Sequence, residues 1–171
     1  MNPDQGAATP AYVGVGSNLN GPEEQVDRAI DALARLPESE LDARSSLYQS
    51  APFGPVDQPD FVNAVVRLVT KLDALSLFHH LRQIESSQGR IRGEHWGPRV
   101  IDLDLLVFED MIVDLDDLNV PHPGIAERNF VLLPLQEIAQ DLVIPGLGRV
   151  ADIAVNHDEP RITLIRIQEP M

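Results

Sequence analysis

The chain has 171 residues, no cysteine, and 27 acidic against 13 basic residues, a formal net charge of −14. That excess of negative charge argues against a nucleic-acid or anionic-membrane surface, and no apolar run approaches the roughly 20 residues of a membrane span. Without cysteine there is neither a disulfide nor a thiolate metal site, a composition compatible with the cytoplasm, and no secretory leader is expected, since the opening residues show no signal pattern.

The length and the lack of repeats suit one domain over 11–160, between a small, polar N-terminal tail at 1–10 and a C-terminal tail at 161–171. Residues 11–15 read as a first strand leading into Gly16-Ser17-Asn18, by chemistry alone a plain strand-to-helix turn. Pro22 at a helix start, Glu23 and Glu24 in its first turn, and Val26, Ile30 and Leu33 on one stripe give a helix ending before Pro37. Residues 41–49 are expected as the second strand. The stretch 50–60, S-A-P-F-G-P-V-D-Q-P-D, is too irregular for an element and too apolar for a linker. It reads either as a surface loop or as a substrate lid. Residues 61–72 form a β-prone strand with Asn63 on the same face as Phe61, a placement that by itself suits a strand-end hydrogen-bonding group. Asp73 caps a helix through Gln88 that buries Leu77, Phe78, Leu81 and Ile84 and stops at Gly89. Glu85, near its C-terminal end, is unfavourably placed for the helix dipole and reads as an exposed glutamate. His79 and His80 have no partner at metal-ligand spacing and read as structural.

Residues 89–108 read G-R-I-R-G-E-H-W-G-P-R-V-I-D-L-D-L-L-V-F. Within 100–108 only Asp102 and Asp104 interrupt an apolar run, the pattern of a strand buried on both faces. The two aspartates project to one side, roughly 7 Å apart. They are either solvated charges at a strand end or, as hard oxygen donors, ligands suited to Mg²⁺. Arg90, Arg92 and Arg99 lie beside His95 and Trp96 on a loop containing Gly89, Gly93, Gly97 and Pro98. They fit a polyphosphate clamp better than mutual salt bridges alone. A tight turn at 109–110, a return strand at 111–113 and an acidic loop at 114–119 lead to V-P-H-P-G-I-A-E-R-N-F, in which His122 sits between two prolines as a fixed donor or a structural residue. Residues 130–140 are expected as a helix with Pro134 in its first turn, then a strand at 142–144, a Gly-Leu-Gly turn and a short helix around 151–155. The order β-α-β-β-α-β with additional C-terminal strands and helices indicates an α+β sandwich of the ferredoxin-like type.

The pattern G-R-x-R…W-G-P-R-x-x-D-L-D-L-L-x-[FY] resembles the signature of the 6-hydroxymethyl-7,8-dihydropterin pyrophosphokinase family of the folate pathway, and further landmarks of that family follow in order from residue 11 to about residue 145. The resemblance implies transfer of pyrophosphate from ATP to the pterin 6-hydroxymethyl group, with AMP leaving, ATP as co-substrate and two Mg²⁺ ions on Asp102 and Asp104. It implies that Arg90 and Arg99 stabilise the transferred group, that Arg92 secures ATP, and that Trp96 closes over both substrates. It also implies that His122 and Arg128 contact the ATP phosphates, that Glu85 lies by the nucleotide, and that Leu105, Leu118 and Asn119 contact the base. For the pterin it implies a lid that includes Ser50, Ala51 and Phe53, an edge contact from Asn63, a stacking face from Phe130, and contacts from Trp96 and Asp102.

Three departures stand out. Phe61 occupies a position often filled by Tyr, Asp117 one that is basic in several relatives, and Arg82 one where some relatives have a Gln contacting adenine; Arg82 is left out of the expected site. A monomer in the cytoplasm is expected, with no nucleic-acid or membrane partner. Two other classes stay open: a phosphate-transfer enzyme with a different acceptor, for which the 50–60 loop and Asn63 would be altered, and a non-catalytic nucleotide-binding module, which would lack one of Arg90, Arg99, Asp102, Asp104 or His122.

Overall fold

Side chains alternate along β1, Thr9–Ser17, so that Ala11, Val13 and Val15 enter one hydrophobic cluster and Tyr12 a second on the opposite face. The computed structural model describes residues 7–52, 54–55, 57–89 and 99–169 and sets β1 inside an antiparallel sheet. Gly21, at φ 75°, turns the chain into α1, Pro22–Ala34, where Pro22 needs no donor and Glu23 and Glu24 face the positive helix end.

The single strand expected over 41–49 is instead two, β2 (Ser39–Arg44) and β3 (Leu47–Ser50). The break lies at Ser45 and Ser46, both buried. Ser45 exchanges hydrogen bonds with the Val65 backbone, its N–H donating to the carbonyl at 2.9 Å and its Oγ accepting from the N–H at 2.9 Å. Ser46 turns away, its Oγ donating to Glu137 at 2.6 Å. Both halves pair with β4 (Phe61–Thr70), β2 along one end and β3 along the other. Asp73 accepts the Ser76 N–H at 2.7 Å and starts α2, Ala74–Ser87.

The central apolar run becomes β5, Asp102–Phe108, on the free edge of β1. The return strand expected at 111–113 is shifted: β6 (Val113–Asp114) and β7 (Asn119–Val120) form a small hairpin. Next comes α3 (Asn129–Ile138), with Pro134 in its second turn rather than its first. A ribbon of β8 (Val143–Ile144) and β9 (Gly148–Arg149) follows, and the short helix expected at 151–155 is a single 3₁₀ turn, Val150–Asp152. Within the stretch expected as a tail, Ile162–Arg166 forms β10, because β3 otherwise leaves a row of unpaired backbone groups that an I-T-L-I-R segment can satisfy.

The strands run in the order β10-β3-β4-β1-β5, with β2 also on β4. Ile30, Leu33, Leu77 and Leu81 from α1 and α2 cover one face, and Leu132 and Leu135 from α3 cover part of the other. The result is an α+β protein with an antiparallel sheet between two helical layers. No helix among the described residues is long and apolar enough to cross a membrane.

Candidate active site

The face that α3 covers only in part holds a cavity of about 340 Å³. Its floor follows from strand register. On that face Gly14 of β1 lies opposite Asp104, and Gly16 lies opposite Asp102 on one side and Asn63 on the other. Two residues without side chains thus leave room between a carboxylate pair and a carboxamide, which stand roughly 10 Å apart across three strands. The pairing of β1 with β5 slips at Leu106, the residue that the register skips. The carbonyl of Leu106 accepts the His122 N–H at 2.8 Å, which brings His122 to the cavity wall.

One end of the cavity is ionic. Asp102 and Asp104 share a face, as the alternation predicts, and both line the cavity. Arg99 Nη1 stands 3.6 Å from Asp102 Oδ1, and Arg128 Nη1 3.9 Å from Asp104 Oδ2; these are loose pairs. The Asp104 carboxyl is pushed up to about 7, first by loss of surrounding water and then by the charge of Asp102, with Arg128 pulling the other way. About a third of its side chain, 34%, still faces the cavity, so the group stands at the bottom of an open cleft. The oxygens of the two carboxylates are the hard donors that Mg²⁺ prefers. Among the described residues no group of three or more His, Asp or Glu has the geometry of a metal cage. A cation here would take two carboxylates and complete its shell from water and substrate.

His122 is pushed down to about 4, mainly by burial and then by the charge of Arg128, so the ring is neutral at pH 7. Its Nδ1 accepts the Gly124 N–H at 3.0 Å, which leaves the proton on Nε2 as a donor. Arg82, left out at the sequence level, also lines the cavity. It belongs to α2, on the opposite side of the sheet, but β5 is the last strand and the side chain passes round that edge. Glu85 (3.1 Å) and the Phe78 ring (4.8 Å to the centroid) hold its guanidinium. The available signal was its position, which the resemblance matches to a Gln contacting adenine in some relatives.

The other end is amide and aromatic. Asn63 is buried and donates from Nδ2 to Ser50 Oγ at 2.9 Å, and Ser50, Ala51, Phe61 and Phe130 complete the lining. Asn18, read as part of a plain turn, proves to be a latch. Its backbone N–H donates to Arg99 O at 3.0 Å and its Oδ1 accepts the Arg99 N–H at 2.8 Å. Its Nδ2 donates to Gln58 Oε1 and Pro59 O, each at 2.9 Å.

Some expected residues are not brought into the cavity. Glu85 is buried rather than exposed, and its Oε2 accepts the Leu103 N–H at 2.9 Å, so it braces β5 between the two aspartates. Leu105 and Leu118 put their side chains into the core under α1 and α2, and Asn119 lies in the β6-β7 hairpin outside the lining. Phe53, Arg90, Arg92 and Trp96 lie outside the described residues.

Comparison with known proteins gives a consistent result. Residues 12–140 match the family model of 7,8-dihydro-6-hydroxymethylpterin-pyrophosphokinase. The 2-amino-4-hydroxy-6-hydroxymethyldihydropteridine pyrophosphokinase of Pseudomonas aeruginosa is 52% identical over 134 residues, covering 78% of this chain and 83% of that one. The protein of the same name from Haemophilus influenzae is 47% identical over 143 residues, covering 84% and 89%. Among solved structures, wild-type HPPK-DHPS of Plasmodium falciparum with pteroate superposes with a TM-score of 0.68 at 15% identity. That match covers 85% of this chain and 42% of the other, a likeness of fold.

Proposed function

The chain belongs to the 7,8-dihydro-6-hydroxymethylpterin-pyrophosphokinase family, and from that premise we propose that the cavity beside α3 is where it acts. The reaction transfers pyrophosphate from ATP to the 6-hydroxymethyl group of 6-hydroxymethyl-7,8-dihydropterin in folate biosynthesis. The hydroxymethyl oxygen bonds to the β-phosphorus, the bridge between the α- and β-phosphates breaks, and AMP departs. The observation that carries the assignment of the site is the polarity of the cavity: carboxylates, arginines and a neutral histidine at one end, a buried carboxamide and two aromatic rings at the other.

In this reading the pterin edge meets Asn63, whose amide is oriented by Ser50, and its faces lie against Phe130 and Phe61. Asp102 and Asp104 hold Mg²⁺, two ions in the full complex. Two carboxylates on one face of the cavity, with oxygen donors at its open side, support that fit. When bound, the metal neutralises phosphate charge and aligns the polyphosphate for in-line attack. The protein's own groups do the rest. His122 donates from Nε2 to a phosphate oxygen without adding charge, and Arg99 and Arg128 take up charge on the transferred and leaving groups. Arg90 and Arg92, outside the described residues, are assigned to the phosphates and Trp96 to covering the substrates. Glu85 supports the nucleotide side through β5, and Leu105, Leu118 and Asn119 meet the base through backbone atoms or from outside the cavity.

The frame is read as ferredoxin-like, with β2 and β3 taken as one bent strand of a βαββαβ unit. The chain is read as acting as a monomer, and ATP as co-substrate supports a cytoplasmic site of action. Asp102→Ala tests the metal assignment. AMP formation should fall by at least about a thousandfold while the melting temperature stays within a few degrees of the parent. Retained Mg²⁺-dependent turnover would refute it.

A further inference from the structure

Gly124 makes two contacts that converge on the cavity. Its N–H donates to His122 Nδ1 at 3.0 Å, and its Cα lies directly under the side chain of Arg128. A Cβ at this position would stand 2.7 Å from Arg128 Nε, 3.1 Å from Cζ and 3.3 Å from Cδ. Its φ of −93° is open to any residue, so backbone freedom is not what glycine provides here. It provides space. The turn Ile125–Glu127 closes with Glu127 N–H on Gly124 O at 3.3 Å and Arg128 N–H on Ile125 O at 3.3 Å, which returns the arginine over the glycine. From that seat the guanidinium stands 3.9 Å from Asp104 and 6.0 Å from the centre of the Phe130 ring, within reach of both ends of the cavity.

We propose that Gly124 is a positioning residue for the transfer: its N–H sets the His122 tautomer and its bare Cα seats the Arg128 guanidinium against the cavity. The inference rests on the reading above, in which Arg128 meets the ATP phosphates. The three atoms nearest a methyl group at 124 all belong to the flexible side chain of Arg128, so Arg128 gives way before the backbone does. The substitution therefore separates aim from stability.

The test is Gly124→Ala, made in the parent and in an Arg128→Ala background. The affinity of each protein for α,β-methylene-ATP with Mg²⁺ is measured by calorimetry, and KM is measured for each substrate. Gly124→Ala should weaken the analogue by about tenfold, the scale of one charge-assisted hydrogen bond, and raise KM for ATP to match. KM for the pterin and the melting temperature should not move. In the Arg128→Ala background the same change should cost nothing more, because its route of action is already gone. The ¹⁵N pattern of the His122 ring should keep its Nε2–H tautomer, since alanine retains the backbone donor. An unchanged analogue affinity, or an equal loss in both backgrounds, would overturn the proposal. A parent that binds the analogue but forms no AMP would remove the assigned reaction and leave the seat to be decided by the affinities. A parent that binds no analogue would remove both.

Discussion

At Asp104 the folded chain holds on to a proton that an unfolded chain gives up. The folded chain holds this proton up to about 7, whereas an unfolded aspartate releases it near roughly 3.9. Between those values the folded state binds more protons, so the group's contribution falls as pH rises from about 4 to about 7 and stays low above that. Asp104→Asn should therefore melt higher than the parent at about pH 8, in chelator, and close to it at about pH 4. The gap should shrink when Mg²⁺ is added to the parent, and a gap of equal size at both pH values would contradict the linkage. His122 has the opposite sign. Its lowered value means that stability is present above roughly 6.5 and is lost as pH falls toward about 4. The two effects overlap in the parent, so only single variants resolve them.

At the scale of elements, the site depends on how loops are tied to the end of β1. Asn18 joins the Arg99 backbone to Gln58 and Pro59, and thereby ties the ionic end of the cavity to the loop that precedes β4. Asn18→Ala removes three side-chain hydrogen bonds and should lower kcat/KM for both substrates by about tenfold or more, with a stability loss of roughly 1–3 kcal/mol. A variant with unchanged kcat/KM for either substrate would show that the latch does not couple them. The sequence could not announce this role, because Asn18 and Arg99 meet only when β1 and β5 pair. What was legible followed local rules: the common face of Asp102 and Asp104, the Asp73 cap, and the first two helices. The split at Ser45 and Ser46 was not, since those hydroxyls find their partners on β4 and α3. Strand β10 was missed for the same reason, its only signal being an edge that β3 leaves open. Arg82 was set aside because it departs from the Gln of some relatives, and its place on the lining shows only once α2 is packed beside β5.

At the scale of the whole molecule, one face of the sheet is spent on a dry core and the other is left half open. Alternation along β1 achieves this with valines on the first face and glycines on the second. The open face then gathers Arg82, Arg99 and Arg128 inside a chain of net charge −14, so cationic groups are concentrated at one place rather than over a general basic surface. That arrangement suits a reaction governed by positioning and charge compensation rather than covalent chemistry. The most direct test is to mix the protein with ATP, Mg²⁺ and 6-hydroxymethyl-7,8-dihydropterin and separate the products by chromatography. AMP and pterin diphosphate should appear in equal amounts; ADP with a pterin monophosphate would place the attack on the wrong phosphorus and contradict the account.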